Sequence, residues 1–380
     1  MRMKTIWAAL LLTAWAAVPS LAGAASGSSS AKWRPALPGY RYRFPHDHGA
    51  HAAFRTEWWY FSGNLTSNSG DRYAFMLAFF RSGLRPPSAR RRPRKSRWAL
   101  ENLYFAHLAV LDVKRGRHRY FERMSRGALE EAGAWRGRLG VWLRNWRAGE
   151  EIKGGVRAMN LSAEAKGVKL SLRLVPRKPP AVHGRGGISQ KADGAGRASH
   201  YYSFTRLTAR GELRLDGRRL LVSGIAWMDH EFGSNQLAED QIGWDWLGLQ
   251  LSDGRELMLY LMRKKGGGYD RNSSGTLIEA DGSMRYLPLR AYRFEPAGRW
   301  RSSRSGARYP MGWRVSVPGE GIDIRVRALA KDQELVTEGS TRVTYWEGAV
   351  QAEGHSKGKP VSGVGFVEMT GYAEGARPRF

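Results

Sequence analysis

Short runs of large apolar residues, broken every ten or so positions by Gly, Asp, Ser and Asn, recur from residue 54 to residue 373. Residues 57–65 (EWWYFSGNL), a Ser/Asn/Gly turn and residues 72–81 predict a hairpin of aromatic strands. Residues 103–113 (LYFAHLAVLDV) predict a further apolar strand, with His107 and Asp112 as its polar members. Leu170, Leu172 and Leu174 alternate with Lys169, Ser171 and Arg173, the pattern of a half-buried strand. Residues 127–160 fit either a short helix or more strands, and the Gly/Pro/Lys-rich residues 176–198 read as a mobile loop. Strands resume at 199–208, with hairpins around Asp216-Gly217, Asp253-Gly254 (a type I′ turn is expected) and Asp281-Gly282. Residues 313–317, 322–326, 343–351 and 363–373 complete the series. No long stretch repeats with the 3.6-residue period of a helix, so the chain is all-β.

The pattern also repeats within the chain. Trp58, Tyr60, Phe61, Leu65 and Thr66 align with Trp244, Trp246, Leu247, Leu251 and Ser252. After a loop that is three residues longer in the first copy, Arg72 onward aligns with Arg255 onward. Alternation puts Trp58 and Tyr60 on one strand face, and Trp244 and Trp246 on the equivalent face of the second copy. Two related β-barrel domains follow, at 54–224 and 225–375, after an irregular lead-in at 25–53.

Composition adds a compartment. Arg2 and Lys4, the apolar residues 6–18 and Ala22-Gly23-Ala24 make residues 1–24 read as a cleaved signal peptide, hence a periplasmic or secreted protein. The chain has no cysteine, which removes a lipoprotein anchor and disulfides alike. The net charge is +28, densest at residues 90–97 (RRRPRKSR), where Pro86, Pro87 and Pro93 rule out a helix. This basic loop reads either as a solvated segment or as a contact for an anionic membrane surface. Nucleic acid is not an expected partner.

Candidate chemistry gathers in residues 226–263, where Asp229-His230-Glu231 precedes a tryptophan-rich hairpin. The run suits a partly buried polar site; it also suits an interdomain hydrogen-bond network. His46, Asp47, His48 and His51 lack the helical spacing of a metal-binding pair, so they read as a polar lead-in and no metal site is assigned. The chain has no G-x-S-x-G elbow, P-loop or dinucleotide fingerprint, and no cofactor is expected.

Eight motifs in order, EWWYF, FAHLAVLD, YYS, WMDHEFGS, GWDWLGLQLSDGRELMLY, YPMGWRV, YWEGAV and VEMTGYA, resemble the two-domain lipocalin-like family called CrtC/AttH-like. That family includes carotenoid 1,2-hydratases and AttH-type secreted proteins linked to ABC export systems. The resemblance implies two packed lipocalin-like barrels and an apolar small-molecule or lipid ligand. A hydro-lyase of the carotenoid-hydratase type, adding water to an isolated C=C bond, is the alternative. The family's hydratases carry a His-x-Trp pair, for which His230 matches and Phe232 stands second, and a Tyr-x-Asp pair that has no counterpart in place. For such chemistry Asp229, His230 and Glu231 are the candidate proton donors, and Trp244 and Trp246 could stabilise a cation. Glu57 or His107 could hold water, with Trp58, Tyr60, Tyr202 and Tyr260 completing the ligand-binding set.

Overall fold

The structure is a computed structural model that describes residues 32–87 and 100–373. The expected signal peptide, the leader after it and the basic loop at 90–97 lie outside the described residues. Among the described residues, no helix is long and apolar enough to cross a membrane.

Thirteen strands make the first sheet. They are β1 (Thr56–Ser67), β2 (Arg72–Gly83), β3 (Asn102–Asp112), β4 (Arg117–Ser125), β5 (Ala132–Ala134), β6 (Gly140–Leu143) and β7 (Trp146–Lys153). There follow β8 (Val156–Ala165), β9 (Val168–Pro176), β10 (Ala181–Val182), β11 (Ser189–Gln190), β12 (Ala198–Leu215) and β13 (Arg218–Gly233). The second half begins with β14 (Gln241–Leu251), β15 (Glu256–Lys264), β16 (Ser274–Ile278), β17 (Met284–Pro288) and β18 (Arg293–Ala297). It continues through β19 (Trp300–Arg301), β20 (Arg308–Tyr309), β21 (Gly312–Val317), β22 (Ile322–Ala328), β23 (Glu334–Val336), β24 (Thr344–Ser356) and β25 (Lys359–Thr370).

The first sheet runs β4-β3-β2-β1-β13-β12-β9-β8-β7-β6-β5, and the second β17-β16-β15-β14-β25-β24-β22-β21-β18. Each is a meander whose last long strand returns to pair with its first, β13 with β1 and β25 with β14. The first closes almost completely into a barrel and the second forms a half-barrel, giving two lipocalin-like domains. The residues that left helix or strand open, 127–160, hold a single 3-10 turn and then strands.

The internal repeat is therefore real at the level of topology, since β1 and β14 hold equivalent places. The two hairpins are equal in length, however. Thr66 faces Arg72 and Gln250 faces Glu256, so residues 67–71 and 251–255 form matching connections. Closing the hairpins alike shifts the aligned first strands by one pleat, which keeps their side chains on the expected face, and shifts the return strands by one residue, so that Arg72 is equivalent to Glu256 and not to Arg255. The turn at Asp253-Gly254 is not type I′. Only Gly254 has positive φ, and its N–H bonds to Leu251 O (3.2 Å), the three-residue form. At Asp216-Gly217 both φ values are positive, as type I′ requires. Gly224 lies inside β13, paired with Leu65 of β1. The chain leaves the first sheet at Gly233 and enters the second at Gln241, so residues 225–233 belong with the first barrel.

Each barrel has its own core. Trp59, Phe61, Leu65, Phe75, Trp146, Leu172 and Met228 fill the first, and Leu247, Leu249, Leu259, Trp313, Trp346 and Val367 the second. A third apolar cluster takes residues from both sheets, among them Met76, Ala78, Trp227, Trp246, Met262 and Tyr345. The barrels also share a buried ionic clasp. Lys178 Nζ donates to Glu256 Oε2 (2.7 Å) and to the carbonyls of Gly254 (2.6 Å) and Glu279 (2.7 Å), while Thr205 and Arg206 bind the same carboxylate. Because Glu256 is fully buried and the Lys178 side chain nearly so, Glu256→Ala strands the Lys178 ammonium without a counter-charge. We expect it to cost about 3–5 kcal/mol in urea unfolding.

Candidate functional site

Pairing register builds the site. Across the first sheet, one row reads Ala78, Tyr60, Asp229, Ser203 and the next Phe80, Trp58, Glu231, Tyr201. Across the second sheet a row reads Tyr260, Trp246, Glu368, Glu347. All three rows face away from the barrel interiors and towards each other, and they enclose a cavity of about 110 Å³ between the sheets. Trp244, Met262 and Tyr345 complete its apolar wall. A second cavity of about 160 Å³ adjoins it, sharing Trp58, Phe80, Trp244, Tyr345 and Glu368 and reaching His107 and Ser340. These five side chains form the wall common to both cavities.

The cavity holds four carboxyl groups. Burial pushes Asp229 up to about 7 although Ser203 and Trp227 (Nε1 to Oδ1, 2.6 Å) donate to it. Burial likewise lifts Glu368 to about 7 against the Trp244 Nε1–H donor (3.0 Å). Glu347 is raised well above the usual carboxylate range by burial and by Glu368, while accepting from Tyr60 OH (2.6 Å). Glu231 has a cation, Lys191 Nζ at 3.1 Å, and a donor in Ser199. Burial would lower the Lys191 ammonium, but Glu231, with Tyr260 and Asp229, more than offsets this and raises it, above the Tyr260 ring (4.2 Å). Tyr260 OH is fixed by Ser274 (2.9 Å) and Gln190 O (2.9 Å). The result is an aromatic recess containing carboxylic acids that keep their protons near neutrality.

Of the residues expected from the sequence, Asp229, Glu231, Trp58, Tyr60, Trp244, Trp246 and Tyr260 line this cavity. His230 does not. Strand alternation turns it to the opposite face, where it is fully buried against Glu57 (Nε2 to Oε1, 2.9 Å), Tyr202 OH (3.1 Å) and the Trp59 ring. These partners all belong to the first sheet, so His230 is not an interdomain clasp either. Tyr202 faces the same way and binds His48 Nδ1 (2.7 Å), leaving its neighbour Tyr201 to face the cavity. Glu57 accepts from Arg81 (3.0 Å), His51 (2.8 Å) and His230; burial would raise its carboxyl, and these partners overcome burial to hold it well below the usual range. His51, Glu57 and His230 approach closely enough to suit a metal, but their facing atoms are spent on one another and Arg81 supplies the counter-charge. We read them as a hydrogen-bond network. Glu57 and His107 both line the adjoining cavity, and His107 is bound to Tyr345 OH (2.7 Å) and Ser340 (2.9 Å) and lowered by burial to about 3.

Sequence reasoning missed Lys191, Tyr201, Glu347 and Glu368. The last two are lone carboxylates in otherwise apolar strands, YWEGAV and VEMTGYA, and that was a usable signal. Lys191 was hidden by the reading of 176–198 as a mobile loop. That segment is laid against β12 through β10 and β11, and it buries Ala181, His183, Ser189 and Lys191.

A pair of β-barrels with a proton-bearing aromatic recess between them defines a class, and the comparisons identify the family. The AttH-like family profile matches residues 35–372, and the chain belongs to that family. An AttH protein of Nitrosomonas europaea, solved as a crystal structure, is 33% identical with a TM-score of 0.79, covering 90% of this chain and 100% of that one. Kievitone hydratase of Nectria haematococca shares the fold at 17% identity and a TM-score of 0.67, covering 90% of this chain and 99% of its own. No curated protein matches the chain.

Two outcomes follow from this geometry. His230→Ala, which leaves Glu57 and Tyr202 short of a partner, should cost about 1–3 kcal/mol and lower the melting temperature without changing ligand affinity. Asp229 and Glu368 have folded pKa values above their unfolded ones, so the stability they contribute is complete below about pH 4 and is lost as pH rises through about 7. The melting temperature should therefore fall between about pH 5 and pH 8. It should fall less in an Asp229→Asn, Glu368→Gln variant; an equal fall would remove these groups as its source.

Proposed function

We propose that the chain is a cofactor-free hydro-lyase that adds water to an isolated C=C bond of an apolar ligand held between its barrels. The observation that carries this reading is a carboxyl group at Asp229, raised to about 7, in a recess walled by Trp58, Trp244 and Trp246. Protonating an alkene needs an acid that is still protonated near neutrality, and a low-dielectric wall that tolerates positive charge. Asp229 gives its proton to the less substituted alkene carbon, and the π pair becomes the new C–H bond. Positive charge on the other carbon faces the indole and phenol rings. Water, held by Glu368, attacks that carbon and returns a proton to the Asp229 carboxylate, which restores the acid. The two adjoining, largely aromatic cavities suit an apolar molecule, and kievitone hydratase, a hydratase by name, has the same fold.

The second reading is a lipocalin-like carrier that binds an apolar molecule or lipid without turnover, and the mostly aromatic lining favours it. The periplasmic or secreted location rests on residues 1–24. A partnership with an export system or an anionic membrane surface rests on the family resemblance and the +28 charge.

The test is incubation with a prenylated phenol and a linear isoprenoid alkene in heavy-oxygen water. The expected product is a tertiary alcohol carrying the heavy oxygen, formed at a rate that falls as pH rises through about 7. Asp229→Asn should cut that rate by about 100-fold or more and keep binding, as read by tryptophan quenching. Binding without product would defeat the hydratase reading and leave the carrier.

A further inference from the structure

Beside Asp229, within the same layer between the two sheets, runs a short line of buried polar groups that the proposed chemistry does not use. Ser203 Oγ bonds Asp229 Oδ1. His183 Nε2 lies 2.7 Å from that same Ser203 Oγ, and His183 Nδ1 lies 2.9 Å from Thr276 Oγ1. All four side chains are buried, His183 and Ser203 completely. The line joins both barrels: Ser203 and Asp229 stand on β12 and β13, Thr276 on β16, and His183 arrives on the segment between β10 and β11.

The far end of the line fixes its direction. Among the described residues, Thr276 Oγ1 has no hydrogen-bond partner besides His183, so its buried hydroxyl proton would be stranded unless it donates to Nδ1. That makes Nδ1 an acceptor and places the imidazole proton on Nε2. Nε2–H then donates to Ser203 Oγ, and the Ser203 hydroxyl has its own proton left for the Asp229 carboxylate. Every bond in the chain points at Asp229, and each donor polarises the next. The imidazole stays neutral, because burial lowers it to about 3 and Lys191 opposes its charge.

We infer that His183 is a positioning residue for Asp229: held in one tautomer by Thr276, it aims the Ser203 hydroxyl at the carboxyl group and steadies its ionised form. The inference rests on the reading of Asp229 as the acid of the cavity. Its effect is to limit how far burial can lift that acid, leaving a group that can both give up and recover a proton near neutrality. The other groups around the pair are Lys191 and the Tyr201 ring (4.2 Å) beside His183, and Glu231, Glu347, Tyr201 and Trp227 beside Asp229.

The test needs no substrate. Trp227 Nε1–H donates to Asp229 Oδ1, so its indole N–H resonance reports the protonation of Asp229 as pH is varied. Trp227→Phe assigns the resonance, and Asp229→Asn should abolish the titration. Ser203→Ala should move the midpoint up by about one pH unit, the loss of one hydrogen bond to a charged group. His183→Phe should also move it up, by less, and should add nothing in a Ser203→Ala background. An unchanged or lowered midpoint in His183→Phe overturns the inference, as does an equal shift with and without Ser203. Thr276→Val, which keeps the side-chain shape, gives an independent reading if His183→Phe does not fold: a raised midpoint supports the inference and an unchanged one overturns it. Absence of alkene turnover with the midpoint shifts intact would count against the hydratase reading alone.

Discussion

The constraint on which the rest depends is that the central strands are buried on both faces. In β2, β14 and β15, and at the Gly233 end of β13, side chains pointing in either direction are hidden from water. One face fills a barrel and the other fills the layer between the barrels. Strands of this kind lose the polar face that an ordinary half-solvated sheet would keep. This accounts for the dense aromatic runs of β1 and β14, and for the close approach of the two domains.

That layer sets the electrostatics of the site. A carboxylate in it loses hydration, so each acid must find a cation, find donors or keep its proton. All three outcomes occur within one small volume. Glu231 has Lys191, Asp229 has Ser203 and Trp227 but stays protonated to about 7, and Glu347 is pushed well above the usual range beside Glu368. On the other side of the same strands, Glu57 is held ionised by Arg81 and two imidazoles. The paired strands β1 and β13 thus carry acids of opposite character, because the pleat turns Glu57 towards a cation-rich environment and Asp229 towards one walled by rings.

Much of the fold was legible in the chain. Alternation and turn residues marked the strands, and the duplicated tryptophan hairpins announced two barrels of one design. Trp58, Tyr60, Trp244 and Trp246 share their faces as the period of two requires, and that same period already separated His230 from Asp229 and Glu231. Hairpin lengths were harder, because a connection is set by backbone conformation at Gly254 and not by residue count. The internal repeat put a junction near Gly224 without locating the end of a strand, and β13 continues to Gly233 in partnership with β1.

The sequence by itself determined which residues could share a face, since that depends only on the local period of the backbone. It could not determine which faces meet. The row of Tyr260, Trp246, Glu368 and Glu347 depends on the register of β14 against β25, strands more than a hundred residues apart, and it opposes Asp229 only because the barrels pack with those faces together. Lys191 and His183 are placed by a segment whose Gly and Pro content carries no period to read. Their chemistry comes from burial and from partners in other strands, and these exist only once the two sheets have closed on each other.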